Sequence, residues 1–220
     1  MITSMPRERT KFTKARPADQ ADINAPWRLF VGIELPEAQT VQIQGILNIV
    51  TDIDLPIRWI TANAAHLTLH FIGEVPVETA ELLRLAFAQA ASGIGPFSLR
   101  GDGAGAFPAL TKPQIVWLGL AGQLAELRRL HRATETFLLG YDIETEMREF
   151  RPHITLGRSR RPLQSPETNA LQAVMRSDAV RTHLANLEQP FAVETVALFR
   201  SHLSHEGSSY EIVARSQLAT

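Results

Sequence analysis

Two short stretches constrain the chain more than anything else in its sequence. "HLTLHFIG", His66 to Gly73, alternates apolar Leu67, Leu69 and Phe71 with polar His66, Thr68 and His70. That period of two predicts a strand with one buried face. The polar face then carries imidazole, hydroxyl and imidazole where a solvated strand would carry Lys, Glu or Ser. "HITLGR", His153 to Arg158, repeats the pattern, with His153 and Thr155 on one face and Ile154 and Leu156 on the other. By parity His70 shares the face of His66 and Thr68, whereas Arg158 falls with Ile154 and Leu156 unless Gly157 introduces a bulge or bend.

Around these stretches strands and helices interleave. "WRLFVGIEL" predicts a strand ending at Pro36, followed by a helix over Glu37 to Val50 with Ile43, Ile46, Leu47 and Val50 on one face. "IRWI" predicts a short strand ahead of His66. Further helices are expected over Val77 to Ala91, with Leu83, Ala86, Phe87 and Ala90 inward, over Gln123 to Leu139, and in one or two pieces over 166 to 186. "PFSLRGDGAGAF" and "PQIVWLGL" read as strands joined around "PALTK", the glycines marking a bulged strand. "FAVETVALFRS" and "SYEIVA" read as a closing hairpin around "HLSHEG". Short turns between neighbours favour antiparallel pairing, so the class is α+β. A strand, helix, strand, strand order occurs twice, once per histidine strand. It predicts a duplicated two-lobe architecture, each lobe a small antiparallel-rich sheet backed by helices, with a central cleft. Residues 1–26 are polar and lack apolar periodicity; they are read as a disordered tail before one bilobal domain over 27–220.

The two patterns restrict the chemistry. On a strand His66 and His70 stand roughly 13 Å apart, too far to share one ion held at ~2.0–2.1 Å. The chain has 0 cysteines, which excludes disulfides and thiolate sites; it also lacks a Gly-x-Ser-x-Gly elbow, a P-loop and a dinucleotide fingerprint. No metal or cofactor is expected. A net charge of −1 provides no general field for long nucleic acid. Locally, Arg148, Arg151, Arg158, Arg160 and Arg161 face only Glu149, an excess of positive charge beside His153. Without a long apolar run or a secretory signal, the chain is read as cytoplasmic, off the membrane and monomeric.

Two histidines then remain as an acid–base pair, since histidine titrates near neutrality and one ring can take a proton while the other gives one. Thr68 and Thr155 would hydrogen-bond phosphate oxygens from the same face, and Arg158 would neutralise charge. Trp59 and Trp117 are expected in the core. Phe30 is expected either to reach the cleft and stack on a base or to serve as packing. His131 and His183 are read as surface or rim residues, His202 and His205 as solvated loop residues, and Tyr210 as structural.

His66-Leu-Thr68-Leu and His153-Ile-Thr155-Leu resemble the paired His-x-Thr-x signatures of the two-histidine phosphoesterases. The flanks "RLFVGIELP", "IRWITANAAHLTLHFIGEV", "GAFPALTKPQIVWLGL", "FRPHITLGR" and "ALFRSHLSHEGSSYEI" resemble the RNA 2′,3′-cyclic phosphodiesterase branch, historically named 2′-5′ RNA ligases. The likeness spans Trp27 to Ala214. It implies metal-independent hydrolysis of RNA or nucleotide 2′,3′-cyclic phosphates to 2′-phosphomonoesters. It also implies His66 as acid, His153 as base, and Thr68, Thr155 and Arg158 as phosphate ligands. His70 is not a signature position and is expected to touch substrate or tune His66. Reversible 2′-5′ ligation, or binding of RNA ends without turnover, are the alternative activities.

Overall fold

The computed structural model describes residues 25–145, 149–204 and 207–219. The tail expectation over 1–26 falls almost wholly outside them, as do Arg148 and His205. Strand β1 (Trp27–Glu34) leads through Pro36 into helix α1 (Glu37–Thr51), then β2 (Ile57–Trp59), β3 (His66–Val75) and α2 (Val77–Ala86). A 3₁₀ turn at Phe87–Gln89 ends that helix early, where a longer one was expected. Next come β4 (Phe97–Phe107), β5 (Ile115–Gly122), α3 (Leu124–Leu139) and β6 (His153–Ser159). Helices α4 (Ser165–Met175) and α5 (Asp178–Leu187) follow, then β7 (Phe191–Val193), β8 (Thr195–Ser204) and β9 (Gly207–Gln217).

All pairings are antiparallel, in the order β7-β4-β5-β6-β3-β1-β8-β9, with β2 beside the far end of β6. The sheet is continuous rather than two separate small ones, yet its halves meet through a single residue pair, Leu67 opposite Ile154. About that pair the order reads the same both ways: β3, β1, β8 outward on one side and β6, β5, β4 on the other. The two chain halves are strand–helix–histidine strand, then helices, then a third strand. That third strand crosses over: β4 of the first half pairs with β5, and β8 of the second half pairs with β1.

The apolar spacing of the helices explains their seating. Ile43, Ile46, Leu47 and Val50 of α1 are all at most 3% exposed, and Leu127, Leu130 and Leu138 of α3 are at 0%. These faces cover one side of the sheet and join Leu29, Val31, Leu67 and Ile154 in the main core. Burial of each such side chain is worth about 1.5–3 kcal/mol. Phe30, Ala197 and Phe199 form a second, smaller apolar cluster with Tyr210 and Ile212. It lies on the opposite face of the sheet, where the cleft opens.

Candidate active site

The site is built around the Leu67–Ile154 pair. Both side chains are buried, at 1% and 4% exposure. Extending the antiparallel register by one residue sets His66 beside Thr155 and Thr68 beside His153, because opposed residues share a face. Two imidazoles and two hydroxyls therefore form a four-cornered group with histidines on one diagonal and threonines on the other. All four side chains are half-buried.

Each histidine is held the same way. His66 Nδ1 lies 2.8 Å from the carbonyl oxygen of Ala64, and His153 Nδ1 lies 2.7 Å from that of Arg151. A carbonyl only accepts, so Nδ1 carries hydrogen in both rings and Nε2 is the atom left to exchange a proton. His66 is walled by aromatic rings: Phe30 at 4.7 Å, Phe199 at 5.7 Å and Tyr210 edge-on at 5.0 Å between centroids. His153 meets Phe107 edge-on at 5.1 Å. Burial pushes His66 below the ordinary histidine value; the Ala64 hydrogen bond opposes this, and the charges of His153 and Arg158 add to it. Burial likewise lowers His153, against its Arg151 hydrogen bond, with Arg158 lowering it further.

Two bulges decide what else reaches the cleft. Between Thr68 and His70 the partner strand advances only from Gly32 to Val31, so Leu69 is the extra residue of β3. Leu69 and His70 are consequently both buried, at 5% and 4%, while Phe71 turns out to the cleft face and is 48% exposed. This corrects the expectation for His70: parity breaks at Leu69, and the ring points away from the cleft. His70 Nε2 donates to the carbonyl of His131 at 2.9 Å, and the two rings lie 4.0 Å apart. His131 in turn stacks on Phe150 at 4.2 Å, so it is no simple rim residue. In β6 the same event occurs at Leu156, extra between the Val116–Gly157 and Trp117–Thr155 pairs. Arg158 thereby leaves the Ile154 and Leu156 side and lines the cleft. Gly157 permits this: a Cβ there would lie 2.6 Å from the Trp59 ring. Phe71 and Arg158 stand five residues beyond His66 and His153, so each strand delivers one long side chain to matching places about the Leu67–Ile154 pair.

The cleft measures about 540 Å³ and is lined by His66, Thr68, Phe71, Thr155 and Arg158, with Arg58 and Trp59 from β2 and Tyr210 from β9. Phe30 also touches it but is 3% exposed and stacked on Phe199 at 4.7 Å. It is a wall of the His66 niche, which leaves no free face to stack a base. Trp59 packs against the main core and Tyr210 against the Phe30 cluster, as expected, and both also border the cleft. Of the arginine excess, Arg151 pairs with Glu149 and Arg161 with Glu167; of Arg158 and Arg160, which form no ion pair among the described residues, Arg158 lines the cleft. His183 is not a rim residue: its ring lies across Gly45 and its Nδ1 is 2.8 Å from Gln42 Oε1. His202 is an exposed hairpin residue beside Glu211. Among the described residues no group of three His, Cys, Asp or Glu could hold a metal ion. No helix among them is long and apolar enough to cross a membrane.

Arg58 and Phe71 were not singled out in the sequence. Arg58 sits in a three-residue strand, and its only signal is its register opposite Arg158. Phe71 was masked by an alternation that the bulge at Leu69 interrupts.

Comparison with known proteins gives concordant findings. Residues 56–204 match the 2′-5′ RNA ligase superfamily. The chain is 30% identical to an RNA 2′,3′-cyclic phosphodiesterase of Aeropyrum pernix, over 76% of this chain and 89% of the relative. It is 33% identical to a second protein so named, from Geobacillus stearothermophilus, over 66% of this chain but 48% of that longer relative. Among solved structures, E. coli LigT complexed with 3′-AMP is similar with a TM-score of 0.63, at 25% identity, over 89% of this chain and 99% of LigT. A Thermus thermophilus protein shares the fold at a TM-score of 0.65 and 24% identity, over 87% of this chain and 97% of that one.

Proposed function

The chain belongs to the 2′-5′ RNA ligase superfamily, and from that membership we propose that it is an RNA 2′,3′-cyclic phosphodiesterase that opens the cyclic ends to 2′-phosphomonoesters. One observation supports this reading above the others. Two histidines tied back through Nδ1 share one face of the sheet with two threonines, and His66, Thr68, Thr155 and Arg158 line the cleft on that face.

Water attacks phosphorus and loses its proton to Nε2 of His153, while the P–O3′ bond breaks and O3′ takes the proton on Nε2 of His66. The reaction ends with a 2′-phosphate, a free 3′-hydroxyl, a neutral His66 and a protonated His153, and solvent returns the proton. Thr68 and Thr155 donate to the non-bridging oxygens, and Arg158 offsets their charge as it grows in the transition state. The strained ring needs positioning and proton transfer, which such a pair supplies to the extent of roughly 10²–10⁴-fold. Phe71 offers a ring face to the base. Both histidine strands come from one chain, so a monomer suffices, and a cysteine-free chain acting on RNA ends fits the cytoplasm.

The direct test is an oligoribonucleotide with a 2′,3′-cyclic end incubated with the protein in EDTA, with products resolved as 2′- or 3′-phosphates. A 2′-phosphate is expected, with roughly 10²–10⁴-fold slower release by His66→Ala and by His153→Ala. No turnover would sink the reading, and strand joining in place of opening would reassign it to ligation. Placing sulfur at the bridging 3′ position separates the two roles, because a thiolate leaves without being protonated. It should rescue His66→Ala and leave His153→Ala impaired.

A further inference from the structure

Arg58 and Arg158 are direct cross-strand partners on β2 and β6, both exposed and both lining the cleft. Like charges directly opposite on a sheet destabilise it unless an anion lies between or beyond them. Among the described strands no other arginine faces a cation: Arg200 stands opposite Glu211, and Arg100 and Arg215 stand opposite alanines. Arg84, Arg129, Arg151, Arg161, Arg181 and Arg215 each pair with a carboxylate. Arg28 faces Glu74 across its strand, and Arg200 lies over the Trp27 ring at 4.2 Å. Among the described residues neither Arg58 nor Arg158 forms an ion pair.

The two guanidinium groups are not equivalent. Arg158 acts electrostatically on both His66 and His153, which places its charge at the reacting phosphate. Arg58 stands on β2, beside the end of β6 that lies away from His153. A 2′,3′-cyclic end closes the RNA on one side, so its nearest further charge is the phosphodiester that joins the terminal nucleotide to the rest of the chain. We propose that Arg58 binds this 5′-side phosphodiester, making the cleft a site for the ends of RNA chains in preference to free nucleoside cyclic phosphates. The assignment rests on the cyclic phosphodiesterase reading above, and it adds to Arg158 a second contact that only a chain of two or more nucleotides can satisfy.

The experiment compares a cyclic-ended dinucleotide with the matching nucleoside 2′,3′-cyclic phosphate in wild type, Arg58→Ala and Arg158→Ala. Charge-assisted hydrogen bonds of this kind correspond to roughly 10–100-fold in binding. Arg58→Ala should therefore lower the preference, the ratio of kcat/KM for the dinucleotide to that for the nucleoside, by roughly tenfold or more. Arg158→Ala should depress both substrates alike. The salt dependence of dinucleotide KM should weaken in Arg58→Ala by about 0.7 in the logarithmic slope, one phosphate contact. Equal losses on the two substrates would place Arg58 at the reacting phosphate, and no loss on either would make it a solvated surface residue; both overturn the proposal. Titration with the corresponding 2′-phosphate dinucleotide and mononucleotide gives the same ratio without turnover. A wild type that hydrolyses neither cyclic substrate would thus defeat the activity while Arg58 was still judged by binding.

Discussion

His66 and His153 each commit Nδ1 to the carbonyl two residues earlier, so rotation and tautomer are settled before substrate arrives. Burial and Arg158 hold both rings below the ordinary histidine value, so above that value the free protein has both neutral. One must gain a proton to act as acid, and a bound phosphodiester supplies a negative charge that favours the gain. The descending basic limb of kcat should therefore lie at higher pH than that of kcat/KM, which reports the free enzyme. Superimposed limbs in the two pH profiles would show that the phosphate does not shift the acid. Phe71 carries a separate expectation. Stacking of a base on an aromatic face is worth about 1–3 kcal/mol, so Phe71→Ala should raise KM roughly 5- to 150-fold with kcat nearly constant. A fall in kcat with KM unchanged would place Phe71 outside base recognition.

At the scale of the element, the bulges at Leu69 and Leu156 do what regular strands cannot. A strictly alternating strand would send His70 to the cleft and Phe71 and Arg158 to the core side. The extra Leu69 makes β3 bury His70 and present Phe71, and the extra Leu156 makes β6 present Arg158. Gly157→Ala puts a methyl against Trp59 and Ile57, where contacts would be 2.6 and 2.7 Å. It should cost about 1–3 kcal/mol in urea unfolding and reduce kcat/KM through Arg158. Wild-type values of both would remove the close-approach account. The same bulges mark the limit of what the sequence disclosed. Alternation was enough to find the faces of His66, Thr68, His153 and Thr155, because nothing interrupts those first three residues of either strand. In β6 a glycine advertised the irregularity, and the displacement of Arg158 could be anticipated. In β3 the run Leu69-His70-Phe71 has no turn-forming residue, since its bulge is set by pairing with Gly32 and Val31, residues distant in the chain. Arg58 was illegible for a related reason: its meaning comes from standing opposite Arg158, and register is a tertiary fact.

Across the whole molecule, His66, His70, His131 and His153 all titrate below their ordinary value, His131 pushed down to about 4 by burial, by the charge of His70 and, less, by Arg132, against Glu135. The unfolded chain takes up these protons near pH 6.5, a level the folded chain reaches only at lower pH. Between those limits the unfolded state binds more protons, so stability is fully present above about pH 6.5 and falls as pH drops toward the folded values. Urea midpoints should follow that course, and His131→Gln should flatten it; an equally steep curve in the variant would exonerate His131. The crossing of the third strands has consequences of another order. Residues 25–111 hold β1, β3 and β4, but β4 belongs beside β5, and β1 lacks its neighbour until β8 arrives. A chain cut between the exposed Thr111 and Lys112 should give two pieces that are unfolded apart and active when co-expressed; a soluble, folded piece on its own would contradict this. Either half alone leaves an inner strand without its neighbour. Two identical copies, each lending its last strand to the other, would close a cleft on their two-fold axis with one histidine from each. In the single chain the two sides of that cleft differ, with Arg158 on one strand where the matching place on the other holds Phe71.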